Sequence, residues 1–517
     1  MLLVLAQPCQ VAALAPEGLY TLRQRLGVNV APGFAGVPSF PGLISDYPGV
    51  EELGLGWYSD WSVREAPPRP QGIEYAQLVQ TRAWPPDWAR LERAARANPG
   101  ALWIIGNEPE TRGQGQHTPQ EYARRYHEAH TAIKRADPNA QVAIGGVVMP
   151  TPLRLRWLDL CLAAYQDLYG RPMPVDVWNI HVQILQEKRD DWGCGIPYGL
   201  TEDEGRLYQI VDNANAAAFQ QLVTEFCAWL VQRGQRDKPL IISEYGVLMP
   251  SDYLPGGDQA VLDFMRDTFD WLLTARDPRL GYAADDHRLV QRWLWFSLNF
   301  PFYEHTPGGF NGALYHWQHP DQLTVFGAFW RDYVRALRFE EATLPAVADT
   351  YVDPARPGQA FGGRGRLRVR ADAAGYAIAS LVRFDLAPLP TDAVLAEATL
   401  RVRVVHRSNR QSLNLRVAPA GTAWDEGLTH AAWARPAPPG GEAYAAVLGP
   451  ETDVAEVDIT PLVQRWLAGS LRNEGLLLEA DPTVPGGNVA YDLGAREWAE
   501  GAPAAPTLRV RYLTRQP

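Results

Sequence analysis

The sequence predicts an α/β protein, a (β/α)8 barrel of the TIM type, followed by a C-terminal all-β sandwich. The 517 residues are enough for two to four domains of about 150 residues. Over residues 25–340, eight short, nearly continuous apolar runs alternate with helix-like runs, as in parallel strands that helices cover on both sides. After Leu344, apolar residues alternate with Arg, Asp or Glu in short runs, a pattern typical of half-buried antiparallel strands.

The barrel prediction rests on the order of its elements. The predicted strands are LGVNVAP (26–32), GLGWYSD (54–60), YAQLVQT (75–81), ALWIIGN (101–107), AQVAIGG (140–146), VDVWNIHV (175–182), PLIISEYG (239–246) and RWLWFSL (292–298). Predicted helices cover 119–138, 156–170, 216–234 and 321–339. The first follows a Thr118 cap, and the second and third end at glycines. The alternative is an open, doubly wound sheet, which usually carries a glycine-rich phosphate loop after its first strand; the sequence has no such loop there.

The second domain is predicted from the alternating pattern alone. Its expected strands are 348–353, 365–371, 380–386, 398–405, 413–420, 456–460, 474–480 and 506–513. A short helix at 460–470 interrupts them, and the Pro- and Gly-rich stretch 435–441 is predicted to be a loop. The expected division is an N-terminal segment (1–24), a barrel (25–344) and a sandwich (345–517).

Charge and hydropathy exclude several classes of function. The 59 Asp and Glu outnumber the 48 Lys and Arg, and the net charge of −11 argues against binding to nucleic acid or to an anionic membrane surface. No run of 18 apolar residues occurs, so no transmembrane segment is expected. The apolar segment 1–24 lacks a basic stretch, and it is either the remnant of a signal peptide or a mis-set start followed by mature protein.

Cysteine and tryptophan usage indicates which kinds of site and partner the protein has. Cys9, Cys161, Cys194 and Cys227 form no CxxC pair, which argues against a structural zinc site. We expect no disulfide, although the sequence leaves the state of the four cysteines open; Cys161 and Cys227 lie in helix-like runs and should be buried. The 18 tryptophans indicate carbohydrate as a partner, because the flat indole stacks on sugar rings; large side chains in the core are the alternative explanation.

Two glutamates follow predicted barrel strands at the same end. Glu108 comes directly after the fourth strand, and Glu244 lies near the end of the seventh. Because the carboxyl ends of barrel strands converge on one mouth, the two side chains are expected to flank a single cleft. Glycoside hydrolysis needs such a pair, one carboxylic acid to protonate the leaving oxygen and one carboxylate to attack or to activate water. A turn with no catalytic role is the alternative for either motif taken alone.

The motifs NEP (107–109) and SEYG (243–246) resemble those of glycoside hydrolase clan A, and the resemblance spans about residues 25–340. It implies a (β/α)8 barrel and a retaining mechanism, with Glu108 as the acid/base and Glu244 as the nucleophile. It also implies that Asn107 binds the 2-hydroxyl of the sugar.

Further binding residues are predicted from neighbouring strand ends. His181 and Trp295 match, less closely, a His near strand six and a Trp on strand eight in members of the clan. Trp57, Tyr58 and Trp61 lie at the end of the second strand and are candidate platforms for a sugar ring. Packing in the core is the alternative for each of these side chains. Asp60, Arg64 and Tyr303 are rim candidates that the sequence does not rank.

Motifs of the second domain also resemble a known family. The motifs that carry the similarity are DTYVD, LVRFDL, ATLRVRV, AWDEGLTHAAW and VDITPLVQRWLAG followed by NEGLLLEA. Residues 348–513, which contain them, are similar to the DNRLRE-type β-sandwich that is grouped with carbohydrate-binding module family 96. That family occurs on secreted and cell-surface bacterial proteins, so the resemblance implies export. A sandwich with a purely structural role is the alternative to one that binds sugar.

Taken together, the sequence predicts a secreted or cell-surface retaining glycosidase that acts on a poly- or oligosaccharide without a metal or cofactor. We expect a monomer whose partner is carbohydrate rather than nucleic acid or membrane. The alternative is a non-catalytic carbohydrate-binding or surface protein built on a barrel scaffold. The sugar, its linkage and the choice between endo and exo action do not follow from the sequence.

Overall fold

A computed structural model describes residues 20–515, except positions 36, 304–308, 373–375, 391–392, 434–442, 468, 470, 482–487 and 501–502. Most of the predicted N-terminal segment, together with Cys9, lies outside the described residues, as does the loop predicted at 435–441. Contacts divide the chain into two compact units, residues 1–336 and 337–517.

The first unit is built on eight parallel strands, and each lies within or overlaps a run predicted from the sequence. They are β1 Leu26–Asn29, β2 Trp57–Ser59, β3 Glu74–Tyr75 continued by Gln77–Val79, β4 Leu102–Asn107, β5 Gln141–Gly146, β6 Trp178–Val182, β7 Leu240–Tyr245 and β8 Arg292–Trp295. Each strand pairs in parallel with the next along the chain, β5 with β6 through bridges such as Val147 to Ile180. Parallel pairing of β8 with β1 closes the ring, which confirms the predicted barrel.

Alternating side chains of these strands fill the barrel interior. The interior cluster is buried to 3% exposure or less and contains Trp57, Ala76, Leu78, Ile104, Ala143, Val177, Ile241 and Leu294. Because strand side chains alternate between the two faces, the interior residue of each strand fixes which residues at its carboxyl end point into the mouth.

Helices and short 3-10 turns connect the strands. The helices of this unit are α1 Leu22–Arg25, α2 Trp88–Ala97, α3 Pro119–Ala136, α4 Pro152–Tyr169, α5 Ala216–Gln232, α6 Asp258–Thr274 and α7 Val325–Ala336. α3 begins as predicted, with a capping box between Thr118 and Glu121. α4 starts four residues before the predicted position, at a proline that suits the first helical turn. Among the described residues, no helix combines the length and the apolar character needed to cross a bilayer.

Among the residues that the structure describes, the second unit is an antiparallel β structure of ten strands. They are β9 Leu337–Val352, β10 Arg366–Ala371, β11 Ala377–Phe384, β12 Val394–Arg407, β13 Leu413–Pro419, β14 Tyr444–Leu448, β15 Val454–Asp458, β16 Leu476–Ala480, β17 Val489–Gly494 and β18 Thr507–Arg515. The predicted short helix is present as α8, Thr460–Leu467. Inward side chains of the strands form one large apolar core, as expected for a sandwich.

Strand β9 shows where the sequence and the structure place the boundary differently. Residues Leu337–Pro345 pair with β18, and residues Ala346–Val352 pair with β11. The first half and the second half of this one strand therefore have different partner strands. The boundary at Ala336 therefore precedes the predicted one by eight residues. The segment LRFEEATL (337–344) contains good helix formers, which predict the end of a helix. In the structure it is a strand, because pairing with β18 overrides the helix propensity.

Candidate active site

Glu108 lies at the carboxyl end of β4, where a left-handed turn projects its side chain into the barrel mouth. Its N–H continues the strand pairing by donating to the Gly146 carbonyl at 3.1 Å. Its φ of 39° lies in the region that few non-glycine residues adopt. Glu108 shares a face with Ile104 of the interior cluster, as the alternation predicts.

Glu244 reaches the same mouth because β7 carries a β-bulge. Unbroken alternation along this strand would place Leu240, Ile242 and Glu244 together on the inward face. In the structure Ile241 is the interior residue. The pairing of β7 with β6 shifts between Ile242 and Glu244, so that one extra residue reverses the alternation and turns Glu244 inward.

His181 lies between the two carboxyl groups. Its Nδ1 is 3.1 Å from Oε1 of Glu108 and 3.9 Å from Oε2 of Glu244, and its Nε2 is 3.1 Å from the Ser243 hydroxyl. One oxygen of each glutamate and one ring nitrogen of His181 all lie within 4.8 Å of one another. Burial lowers the pKa of His181 below its ordinary value, so the ring is neutral at pH 7.

Burial also raises the pKa of both glutamates, to different extents. The pKa of Glu108 rises to about 8, mainly through desolvation and then through the negative charge of Glu110, while Arg154 opposes the shift. The pKa of Glu244 rises to about 7, again mainly through desolvation, with His181 opposing and Glu108 adding to it. Around neutral pH the pair therefore favours a protonated Glu108 beside an ionised Glu244.

Two N–H donors orient the Glu244 carboxylate. The Trp61 indole donates to Oε2 at 3.2 Å, and the Gln183 amide donates to Oε1 at 3.3 Å. Trp61 was predicted from the sequence as a sugar platform, whereas Gln183 was missed. Alternation along β6 was the available signal, because Gln183 follows Val177 and His181 on the inward face.

The carboxyl pair lies in a cleft of about 520 Å³. Its lining residues are Trp61, Gln80, Asn107, Glu108, Thr111, Arg112, Gln114, Val148, Gln183, Leu185, Gly193, Cys194, Glu244, Leu248, Met249, Phe296, Phe300 and Phe310. Asn107 Oδ1 and Gln183 Oε1 are buried and lack a hydrogen-bond partner among the described residues. Unpaired buried acceptors are costly, so these two atoms are suited to accept hydrogen bonds from a ligand's hydroxyl groups.

Not every residue predicted for the site lies in the cleft. Glu108, Glu244, Asn107 and Trp61 line it, and His181 lies between the two glutamates without lining the cleft itself. Trp57 and Trp295 do not line it, and these two predictions are wrong.

Both tryptophans are fully buried. Trp57 fills the barrel interior, and its N–H donates to the Arg25 carbonyl. Trp295 faces the helices, packing edge-on against Tyr245, because Leu294 is the inward residue of β8. The same alternation turns Phe296 into the cleft. The unranked candidates Asp60 and Arg64 form an ion pair with each other.

A buried charge cluster supports the segment that follows Glu108. Arg154 Nε donates to Glu110 at 2.9 Å, Arg154 also bonds Glu187, and all three side chains have no exposed area. Glu187 additionally accepts from the Thr151 hydroxyl at 2.6 Å. The cluster joins the loops that follow β4, β5 and β6, and thereby fixes the backbone that presents the acid/base candidate.

The ligand atoms of Glu108, His181 and Glu244 could also hold a metal ion, since carboxylate oxygen and imidazole nitrogen are common metal ligands. Each of these side chains already has a protein partner. His181 pairs with Glu108, and Glu244 accepts two N–H groups. The arrangement thus fits a carboxyl pair without needing an ion to hold it together.

Comparisons with known proteins agree with the division of the chain. Residues 340–505 match the family model described as "Carbohydrate-binding module family 96". No curated protein sequence matches the chain. The second unit therefore carries the sequence features of that module, as the resemblance of its motifs implied.

Similar solved structures include three glycosidases. A GH128 curdlan-specific exo-β-1,3-glucanase from Blastomyces gilchristii is 16% identical, with a TM-score of 0.37, over 59% of this chain and 97% of its own. A glucosidase from Croceicoccus marinus is 12% identical, with a TM-score of 0.39, over 93% and 97%. An α-L-arabinofuranosidase from Thermotoga maritima is 11% identical, with a TM-score of 0.39, over 92% and 98%. At these values the similarity says nothing about activity, and the barrel is established by its strand pairing.

Proposed function

We propose that the chain is a retaining glycoside hydrolase in which Glu244 is the nucleophile and Glu108 the acid/base. The observation that carries the proposal is the carboxyl pair at the ends of β4 and β7, with one oxygen of each within 4.8 Å of the other. Retaining glycosidases hold their carboxyl groups about 5–5.5 Å apart, whereas inverting enzymes leave about 6.5–9.5 Å for a water molecule.

In the first step, Glu244 attacks the anomeric carbon while Glu108 gives its proton to the glycosidic oxygen. The bond between the anomeric carbon and that oxygen breaks, the leaving group departs as an alcohol, and a glycosyl ester forms on Glu244. In the second step, the Glu108 carboxylate takes a proton from water as the water oxygen attacks the anomeric carbon. The ester bond breaks, and both glutamates return to their starting protonation states.

The protonation states of the site suit these roles. The nucleophile must be ionised, and Glu244 has the lower pKa of the two and receives hydrogen bonds from Trp61 and Gln183. The acid must be protonated, and Glu108 has the higher pKa. In this scheme His181 holds the Glu108 carboxyl group in position.

The cleft lining supports a carbohydrate substrate. Asn107 and Gln183 offer unpaired acceptors for sugar hydroxyl groups. Trp61 and Phe296, whose ring centroids are 5.9 Å apart, offer apolar faces for the C–H side of a sugar ring. Resemblance to clan A adds that Asn107 would contact the 2-hydroxyl.

Turnover of chromogenic glycosides and polysaccharides by the wild type tests the proposal, and two variants test the roles. Glu244→Ala should nearly abolish turnover, and azide should restore it by forming a glycosyl azide of inverted anomeric configuration. Glu108→Ala should retain activity on substrates with good leaving groups, which need no proton, and lose it on natural glycans. Equal loss on both substrate types would refute the acid/base assignment.

The match of residues 340–505 supports a second proposal, that the second unit binds carbohydrate. We further propose that the protein acts on extracellular polysaccharide, in line with that module, and that it is a monomer. Co-sedimentation of residues 337–517 with insoluble polysaccharides tests the binding. If the whole chain bound glycans without turning any over, the alternative of a non-catalytic carbohydrate-binding protein would replace the enzyme.

A further inference from the structure

A second cavity adjoins the catalytic cleft. It measures about 310 Å³ and is lined by Arg112 together with residues 189–191 and 193–200. Arg112, Gly193 and Cys194 line both this cavity and the catalytic cleft, so the two spaces adjoin each other across these three residues. Both volumes lie in the range of about 300–1,000 Å³ that is usual for ligand sites. We call the second space the loop cavity.

The loop cavity lies on the Glu108 side of the carboxyl pair. The Tyr198 N–H donates to the Glu110 carbonyl at 2.7 Å, two residues beyond Glu108. The guanidinium of Arg154, which also pairs with the Glu110 side chain, donates to the carbonyls of Cys194 and Gly195 at 3.3 Å each. The loop is therefore held against the segment that carries the acid/base, while Leu248, next to β7 and Glu244, lines only the catalytic cleft.

The chemistry of the loop cavity fits a neutral sugar. Its charged residues are already paired, so no surplus charge awaits an ionic ligand. The pairs are Arg112 with Asp190 at 3.3 Å, Arg189 with Asp203 at 3.0 Å and Asp191 with Lys188 at 3.3 Å. Tyr198 lines it and is 38% exposed, which leaves an amphipathic ring available to a ligand. A sugar ring presents an apolar face to such a side chain and polar edges to the arginines and aspartates around it.

We propose that the loop cavity is a subsite for a neutral sugar unit on the leaving-group side of the cleaved bond. The inference rests on the proposed function, because Glu108 protonates the oxygen that joins the two units. It deepens that function by naming the substrate class. The leaving group is itself a neutral saccharide, so neutral oligosaccharides and polysaccharides are cleaved in preference to glycosides of small non-sugar alcohols.

The test compares substrates with and without a sugar leaving group. Glycosyl fluorides of glucose, galactose, xylose and arabinofuranose leave the loop cavity empty, because the leaving group is a single fluoride ion. The matching unsubstituted disaccharides to hexasaccharides fill it. Tyr198→Ala should lower kcat/KM on the oligosaccharides about tenfold and change it less than twofold on the fluoride of the same sugar. Tyr253→Ala is the matched control, since Tyr253 is an exposed tyrosine that lines neither space.

A second measurement does not depend on the variant. A 2-deoxy-2-fluoroglycosyl fluoride should trap the ester on Glu244, and a neutral disaccharide acceptor should reactivate the trapped enzyme faster than water does, in a saturable manner. An acceptor that carries a carboxylate should do so less well. The subsite proposal would be overturned if Tyr198→Ala had equal effects on fluorides and oligosaccharides, or if the acceptor did not accelerate reactivation. Neither result would overturn the proposed glycosidase activity. A wild type that turns over neither fluorides nor oligosaccharides would instead overturn the proposed function.

Discussion

Glu108 and Glu244 lie on either side of His181 yet differ in the charges around them, and the difference sets the expected pH dependence. Turnover needs Glu244 ionised, above a pKa of about 7, and Glu108 protonated, below a pKa of about 8. We expect kcat/KM to follow a narrow bell with its maximum between these values and to fall about tenfold per pH unit outside it. Rates from pH 4 to 10 on one oligosaccharide check this, whereas a glycosyl fluoride, whose leaving group needs no proton from Glu108, should show only the acidic limb. A plateau from pH 4 to 6 would contradict it.

The Trp61 N–H is expected to favour the ionised form of Glu244. Trp61→Phe keeps an aromatic ring but removes the donor at 3.2 Å, so the pKa of Glu244 should rise and the acidic limb of kcat/KM should move to higher pH. We expect about a tenfold loss at pH 6 and a smaller loss at pH 8. Trp84→Phe is the control, because Trp84 also donates to a carboxylate, that of Glu128 at 3.1 Å, but on the exposed surface. An unchanged limb would show that the hydrogen bond does not act on the nucleophile.

Among the elements, the cluster of Arg154, Glu110 and Glu187 joins three loops at the mouth of the barrel. Arg154→Met would leave two buried carboxylates without their cation, which costs about 3–5 kcal/mol of unfolding free energy. Arg156→Met, on the same helix, removes an exposed pair with Glu202 and should cost less than about 1 kcal/mol. Urea unfolding of both variants measures the difference. Equal stabilities would mean that the cluster does not hold the loops.

Elements of the fold were more predictable than the side chains at its mouth. All eight barrel strands follow from apolar runs, because parallel strands are buried on both faces. Strands β14 and β17 were missed, and β17, for example, ends in Asp492 and Gly494, which give a weak strand signal. At the site, the motifs pointed to Glu108 and Glu244, whereas Trp295 was chosen in place of Phe296.

That error has a physical reason. Aromatic character does not tell which face of a strand a residue occupies, and only an interior residue such as Leu294 sets the phase. The bulge in β7 could not be predicted either, because it depends on the register with the neighbouring strands.

At the scale of the whole molecule, each unit has its own apolar core, which predicts independent folding. A chain that ends at Ala336 should melt cooperatively and keep its kcat/KM on a glycosyl fluoride, because both glutamates and all eight barrel strands remain. A chain that ends at Ala342 keeps part of β9 without its partner β18 and should aggregate more readily. Scanning calorimetry measures the folding of the two shortened chains, light scattering their aggregation, and kinetics their kcat/KM. A folded but inactive chain ending at Ala336 would show that the second unit contributes to turnover.

The buried carboxyl pair also makes the folding of this chain a proton-uptake reaction. Near pH 6 both glutamates are ionised in the unfolded chain and protonated in the folded one, since burial raises each pKa above its ordinary value of 4.5. Their contribution to stability is thus fully present below about pH 4.5 and is lost as the pH rises through 7 and 8. The double variant Glu108→Gln and Glu244→Gln should match the wild type in stability near pH 4 and exceed it near pH 8 by several kcal/mol. Denaturant titrations at the two pH values would measure how much the burial of the two carboxyl groups lowers the free energy of unfolding. If the difference in this free energy between the variant and the wild type did not change with pH, the linkage would be refuted.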